Sequence, residues 1–172
     1  MKKLLGMAAL AAGGMMFAAG AVAADAQKLS AKLNPTQGNT ASGVIEFFAA
    51  GDNKVRVVGE VMGLTPGAHG FHIHEKGDCS APDGTSTGGH FNPHQVAHGK
   101  FDAAAHHTGD LPSLMADDKG EAKIDVVVDD IALIGPDGIE GRGLIVHAQP
   151  DDYMTQPTGN AGGRVACGVI GK

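Results

Sequence analysis

Apolar side chains recur at every second position through several short stretches of this chain. That period fits a strand with one buried face and does not fit a helix. Leu29, Ala31 and Leu33 share one face, Val55, Val57, Gly59 and Val61 another, and Ala122, Ile124, Val126 and Val128 a third. Ser42 to Ala49, Gly70 to His74, Gly143 to Ala148 and Arg164 to Ile170 also read as short strands. Turn residues separate them at Asn34-Pro35, Gly51-Asp52-Asn53, Thr65-Pro66-Gly67, Asp118-Lys119-Gly120 and Gly135-Pro136-Asp137-Gly138. The 27 glycines among 172 residues oppose long helices, because each costs about 1 kcal/mol inside a helix relative to Ala. The pattern predicts one all-β domain, an antiparallel sandwich or barrel.

The start of the chain reads differently. Met1-Lys2-Lys3 leads into an uncharged stretch from Leu4 to Ala24 that closes on Ala21-Val22-Ala23-Ala24, with the first acid at Asp25. A basic start, an apolar middle and a small-residue end predict a cleavable export signal over residues 1–24, with the domain over 25–172. Glycine interrupts the stretch and no basic stop follows it, which favours export over a membrane anchor. Losing Lys2 and Lys3 lowers the basic count from 13 to 11 against 19 acids, so the mature domain is clearly acidic. Such a charge excludes nucleic acid as a partner, because phosphate binding needs a basic face. The two cysteines, Cys79 and Cys167, are an even pair in an exported chain, which favours a disulfide over two free thiols.

Two stretches lack the strand rhythm: Lys76 to Pro112 and Gln149 to Gly163. Loops this long in a compact domain usually carry function. The first holds Cys79 and five of the nine histidines: His90, His94, His98, His106 and His107, with Asp110 beside them. His72 and His74 lie two apart on a predicted strand, so both rings leave the same face and can meet one ion. His147 sits late in another strand and can face them if the strands are neighbours. Imidazole suits copper, zinc and iron, and a carboxylate among imidazoles is common at zinc. The donors outnumber the needs of one four-coordinate ion, so counting points to two. No serine elbow, phosphate loop or H-E-x-x-H pattern is present to support another chemistry.

The segments GFHIH (70–74), GDC (77–79), GGHFNP (88–93), HTGDLP (107–112), VHAQPDD (146–152) and GNAGGRVACGVIG (159–171) closely resemble the copper–zinc superoxide dismutases, in their exported bacterial form. The likeness runs from Gly59 to the end and is weaker before it. It implies an antiparallel Greek-key β-sandwich or flattened barrel of about eight strands with two long functional loops. It implies one copper and one zinc ion per chain, copper on His72, His74, His90 and His147, and zinc on His90, His98, His107 and Asp110. The His90 imidazolate would be shared by both ions. His107 keeps the family's spacing to Asp110, leaving His94 and His106 as loop histidines, while His69 resembles a structural, hydrogen-bonding histidine.

The resemblance further implies Arg164 beside copper to attract an anion, and Asp151 linking the rings of His72 and His98. It places Thr158 at the channel rim, and a Cys79–Cys167 bridge that helps fix Arg164. The implied reaction is dismutation in a periplasmic compartment. One superoxide gives up an electron at copper and leaves as dioxygen. A second regains that electron and leaves with two protons, one from His90, as hydrogen peroxide. A copper-binding or copper-delivery protein on the same fold is the alternative, and degenerate relatives of that kind lose ligands that this chain keeps. Two departures stand out: Gly89 occupies a position where many relatives have Pro, and Met154 to Gly163 is uncharged, which leaves Arg164 and the metals to steer the anion. The resemblance leaves monomer and homodimer both open, with no membrane partner once the signal is removed.

Overall fold

The computed structural model describes residues 28–172, so the export segment read over residues 1–24 lies outside the described residues. Among the described residues, nine strands form the fold: β1 (Lys28–Pro35), β2 (Ser42–Ala49), β3 (Lys54–Met62), β4 (Gly67–His69), β5 (Phe71–His74), β6 (Leu114–Ala116), β7 (Ala122–Asp129), β8 (Gly143–His147) and β9 (Arg164–Val169). Every pairing between them is antiparallel, in the order β4-β6-β7-β3-β2-β1-β9-β8-β5. The two strands at the ends of that order, β4 and β5, are consecutive in the chain with only Gly70 between them. The sheet therefore curls round into a nearly closed barrel, which hides edges that would otherwise stay open to other chains. Strand β1 is the seam, pairing with β2 over Lys28–Leu33 and with β9 through Asn34 and Pro35.

The alternation explains the interior. Leu29, Ala31, Leu33, Ile45, Phe47, Val55, Val57 and Val61 are fully or almost fully buried, and Ile124 and Val126 pack against them half-covered. The strand count is nine where the resemblance implies about eight, and β4 and β6, absent from the alternation read in the sequence, hold only three residues each. The segment between β7 and β8 inserts Ile131, Leu133 and Ile139 into the core. Among the described residues, no helix is long and apolar enough to cross a membrane.

Strands β5 and β8 differ from the rest, since every residue in each is buried. Phe71, Ile73, Leu144 and Val146 face the core. The outward face, carrying His72 and His74, is roofed by the two long loops. The first loop runs beside β5 almost as a further strand, with bridges joining His72 to Asp110 and His74 to His90. Backbone hydrogen bonds from Phe91 N to Ile73 O (2.8 Å), Ile73 N to Gly109 O (2.9 Å) and Glu75 N to Gly89 O (3.0 Å) hold it there. A disulfide between Cys79 and Cys167, with its Cα atoms 5.9 Å apart, ties the same loop to β9.

Candidate metal centre

The alternation of β5 aims His72 and His74 away from the core, and its pairing with β8 sets His147 beside them. The backbone shifts register between Val146 and His147, opposite Arg164. Such a bulge re-aims the side chain that follows it. The first loop adds His90, His98, His107 and Asp110. Two buried clusters result: His72, His74, His90 and His147, and His90, His98, His107 and Asp110. Within each, the four donor atoms lie within 4.8 Å of one another, and His90 belongs to both.

The hydrogen bonds decide which nitrogen of each ring is free. His72 Nε2–H donates to Asp151 Oδ2 (2.7 Å), His74 Nδ1–H to Gly88 O (2.9 Å) and His147 Nδ1–H to Gly162 O (3.2 Å). His98 Nε2–H donates to Asp151 Oδ1 (3.0 Å). The opposite atoms, His72 Nδ1, His74 Nε2 and His147 Nε2, are buried without a partner, and so is His90 Nε2. The fifth, His98 Nδ1, stands 3.0 Å from Asp110 Oδ2. Buried polar atoms are almost always satisfied, so four orphaned nitrogens converging in the first cluster require a ligand. This is the arrangement metal-binding histidines adopt, with one nitrogen for the ion and the other held by a carboxylate or carbonyl.

The second cluster also has the right dimensions. His90 Nδ1 stands 2.8 Å from Asp110 Oδ1 and 3.4 Å from His107 Nδ1, and His107 Nδ1 is 3.5 Å from Asp110 Oδ1. A tetrahedron with metal–ligand bonds of about 2.05 Å has edges of roughly 3.3 Å. Asp110 Oδ2 is fixed by the backbone N–H groups of His107 (2.8 Å) and Gly99 (3.2 Å).

Burial pushes His74 down to about 2, His147 to about 3 and His90 to about 4, with neighbouring rings adding to the effect. These rings are neutral and present lone pairs at any physiological pH. Burial would raise the Asp110 and Asp151 carboxyls, but hydrogen bonds from the surrounding histidines outweigh it and hold both well below the usual carboxylate range. His98 moves the other way. Burial lowers it, yet Asp110 and Asp151 on either side raise it to about 9, so in the metal-free chain it carries a proton that an ion would replace.

Arg164 opens β9 half-buried, with Nη1 donating to Gly84 O (2.7 Å) and Thr87 Oγ1 (2.6 Å), and Nη2 donating to Gly88 O (2.7 Å). Its charge depresses both His74 and His147, which places it electrostatically beside the first cluster. Thr158 is half-buried in the second loop, next to Gly159. Gly159 has φ +66°, and a Cβ there would collide with Asp151 and lie 2.6 Å from His98 Nε2. Only glycine lets the loop close over that pair. His69 Nδ1–H donates to His147 O (2.7 Å) from behind, while His94 pairs with Asp137 (2.8 Å) at the surface and His106 bonds the His107 carbonyl (2.9 Å). None of these three belongs to either cluster.

Two residues escaped the sequence reading. Gln156 accepts from His98 N and donates to His98 O, both at 2.9 Å, clamping the second loop to the first. Thr87 holds Arg164. A lone Gln or Thr in a loop carries no motif, and only the fold brings each to its partner.

A family model described as copper/zinc superoxide dismutase matches residues 41–170. The chain belongs to the copper/zinc superoxide dismutase family. Superoxide dismutase [Cu-Zn] 2 of Brassica juncea is 44% identical over 147 residues, covering 82% of this chain and 95% of that protein. The crystal structure of the clock protein EA4 is similar with a TM-score of 0.78 and 45% identity, covering 85% of this chain and 94% of that one. The chain is thus a superoxide dismutase using copper and zinc, and its two buried clusters suit those ions. The curated relative is a plant protein, so the likeness shows the family and not its exported bacterial form.

Proposed function

We propose that His72, His74, His90 and His147 hold copper, that His90, His98, His107 and Asp110 hold zinc, and that the His90 ring joins the two. The observation that carries this is the pair of faces on one buried ring. His90 Nδ1 faces Asp110 and His107, while Nε2 points unpartnered at the all-histidine cluster. The carboxylate-containing set suits zinc, and the set of four imidazoles suits a redox-active copper.

Copper bound there supplies one-electron exchange with superoxide in both directions, and zinc supplies a fixed charge that orients the shared ring. The chain supplies the rest. Arg164 attracts and orients the anion, and Thr158 lines the rim of its approach. His90 Nε2 is the atom that can hold a proton within the site and hand it to the reduced product. Asp151 fixes the outer nitrogens of His72 and His98, so the two clusters keep their spacing.

The compartment proposed is the periplasm, supported by the sequence of residues 1–24 and by a Cys79–Cys167 disulfide that an oxidising environment maintains. N-terminal sequencing of the protein from a periplasmic fraction tests this, with a start at residue 24 or 25 expected and an intact Met1 opposing it.

The site is tested by Arg164→Glu. Reversing this charge should lower the rate constant for superoxide, measured by pulse radiolysis, by about tenfold or more at low salt. Copper content should stay at one ion per chain. Wild-type kinetics would remove Arg164 from the reading, and loss of copper would make it a structural residue. Release of dioxygen and peroxide from superoxide, abolished by chelation, separates this reading from a copper-delivery protein.

A further inference from the structure

We propose that Thr87 is a positioning residue that sets the orientation of Arg164 and so the affinity of the copper cluster for small anions. The proposal rests on the reading of Arg164 as the anion-attracting group. It goes beyond that reading by naming what aims the guanidinium.

Thr87 is fully buried in a short 3-10 turn, Thr85–Thr87, and its hydroxyl makes two bonds. Oγ1 accepts from Arg164 Nη1 (2.6 Å) and donates to Gly84 O (3.0 Å), and Gly84 O also accepts from the same Nη1 (2.7 Å). Thr87, Gly84 and Nη1 therefore form a closed ring of hydrogen bonds. The turn ends at Gly88, whose carbonyl accepts from both Arg164 Nη2 (2.7 Å) and His74 Nδ1–H (2.9 Å). One bracket of five residues thus holds the guanidinium and a proposed copper ligand in a common frame.

A guanidinium has five N–H donors. The bracket consumes three of them, leaving Nε–H and one Nη2–H free of hydrogen-bonded partners among the described residues. Two N–H groups on a planar fork suit an anion with two acceptor atoms. All three bonds run to the bracket, which leaves the Nε–H and second Nη2–H edge for an anion. Without the hydroxyl, Gly84 O on Nη1 and Gly88 O on Nη2 still hold the fork, but one Nη1–H loses its acceptor. The threonine hydroxyl is the third point of this clamp, and its loss frees Nη1 to turn. Its methyl does separate work: a Cβ at Gly143 would fall 2.7 Å from Thr87 Cγ2, so that methyl packs on β8.

The two halves of the side chain can be separated. Thr87→Val keeps the packing and removes the hydroxyl, while Thr87→Ser keeps the hydroxyl and removes the methyl. Azide titrations of the copper- and zinc-loaded proteins, followed by visible absorption, read anion affinity. Nitrogen-15 NMR of the Arg164 Nη groups in the metal-free protein reads guanidinium rotation without any metal. T87V should weaken azide about three- to tenfold, as expected for a lost charge-assisted hydrogen bond, and should speed Nη rotation. T87S should stay within about twofold of wild type in both. The proposal is overturned if T87V leaves both readouts unchanged, or if T87S moves them as far as T87V, which would make Thr87 a packing residue. An Arg164→Ala control distinguishes the two levels. If R164A leaves azide affinity unchanged, the anion role of Arg164 fails and this proposal falls with it. If R164A weakens azide and T87V does not, Thr87 alone is refuted.

Discussion

Single atoms decide the chemistry of this molecule. Each clustered imidazole has two nitrogens with different duties, and the backbone or a carboxylate settles which one is left for an ion. Asp151 does this for two rings at once, with Oδ2 on His72 and Oδ1 on His98, while the Tyr153 N–H (2.7 Å) holds the carboxylate in place. Asp151→Asn keeps the shape but offers only one acceptor oxygen, so one ring loses its anchor and its preferred tautomer. The variant should bind one or both metals about 10- to 100-fold more weakly. Competition against a chelator of known affinity measures this. Unchanged affinity for both ions would mean that Asp151 only joins the loops. At the same scale, a Cβ at Gly70 would lie 2.7 Å from Ala161 Cβ and 3.1 Å from His72 Cε1, so bare backbone is what lets the second loop settle over that ring.

The elements divide cleanly between those that hold the barrel and those that hold the site. The long strands were legible in the sequence because Leu29, Ala31 and Leu33, and Val55, Val57 and Val61, alternate with exposed neighbours. Strands β4 and β6 were not, since three residues are too few to show a period. Ile131, Leu133 and Ile139 lie between strands beside the Gly135–Gly138 turn, yet they join the hydrophobic core, a tertiary role that no local pattern encodes. The histidine-rich loop and the His72/His74 pair stood out in the sequence by count and spacing, but only the family resemblance sorted donors into two sets, since spacing alone kept His94 and His106 among the candidates. Thr87 and Gln156 did not stand out, because their partners are 77 and 58 residues away. The Cys79–Cys167 bridge spans 88 residues and belongs with the site elements, since it pins the loop that carries the Arg164 bracket. Replacing both cysteines by serine should lower unfolding stability by up to ~4–5 kcal/mol in the chain-entropy picture. It should also broaden the Arg164 side-chain resonances. Equilibrium denaturation and NMR check the two effects, and a variant as stable and as ordered as wild type would contradict the assigned role.

Across the whole molecule, burial keeps His74, His90 and His147 uncharged until an ion arrives, and this makes folding depend on pH. His74, His90 and His147 are depressed in the folded chain to about 2, 4 and 3, against an ordinary value of 6.5. The unfolded chain therefore takes up protons first as pH falls. Metal-free protein should lose stability below pH ~6.5, with a slope approaching about 1.4 kcal/mol per pH unit for each ring. Asp110 and Asp151, held low by their histidine partners, lose their contribution further down. His98 has the opposite sign: raised to about 9, it contributes below pH ~6.5 and that contribution is lost as pH rises through about 9. Urea denaturation of chelated protein should thus show stability falling away on both sides of neutrality. A flat profile across the acid side would contradict the neutral-ring account.

The direct test of the shared ring is a crystal structure of the copper- and zinc-loaded protein, with anomalous diffraction collected at both metal edges. It should place copper on His90 Nε2 together with His72, His74 and His147, and zinc on His90 Nδ1 with His98, His107 and Asp110. A single ion, or a His90 ring touching only one of two, would contradict it.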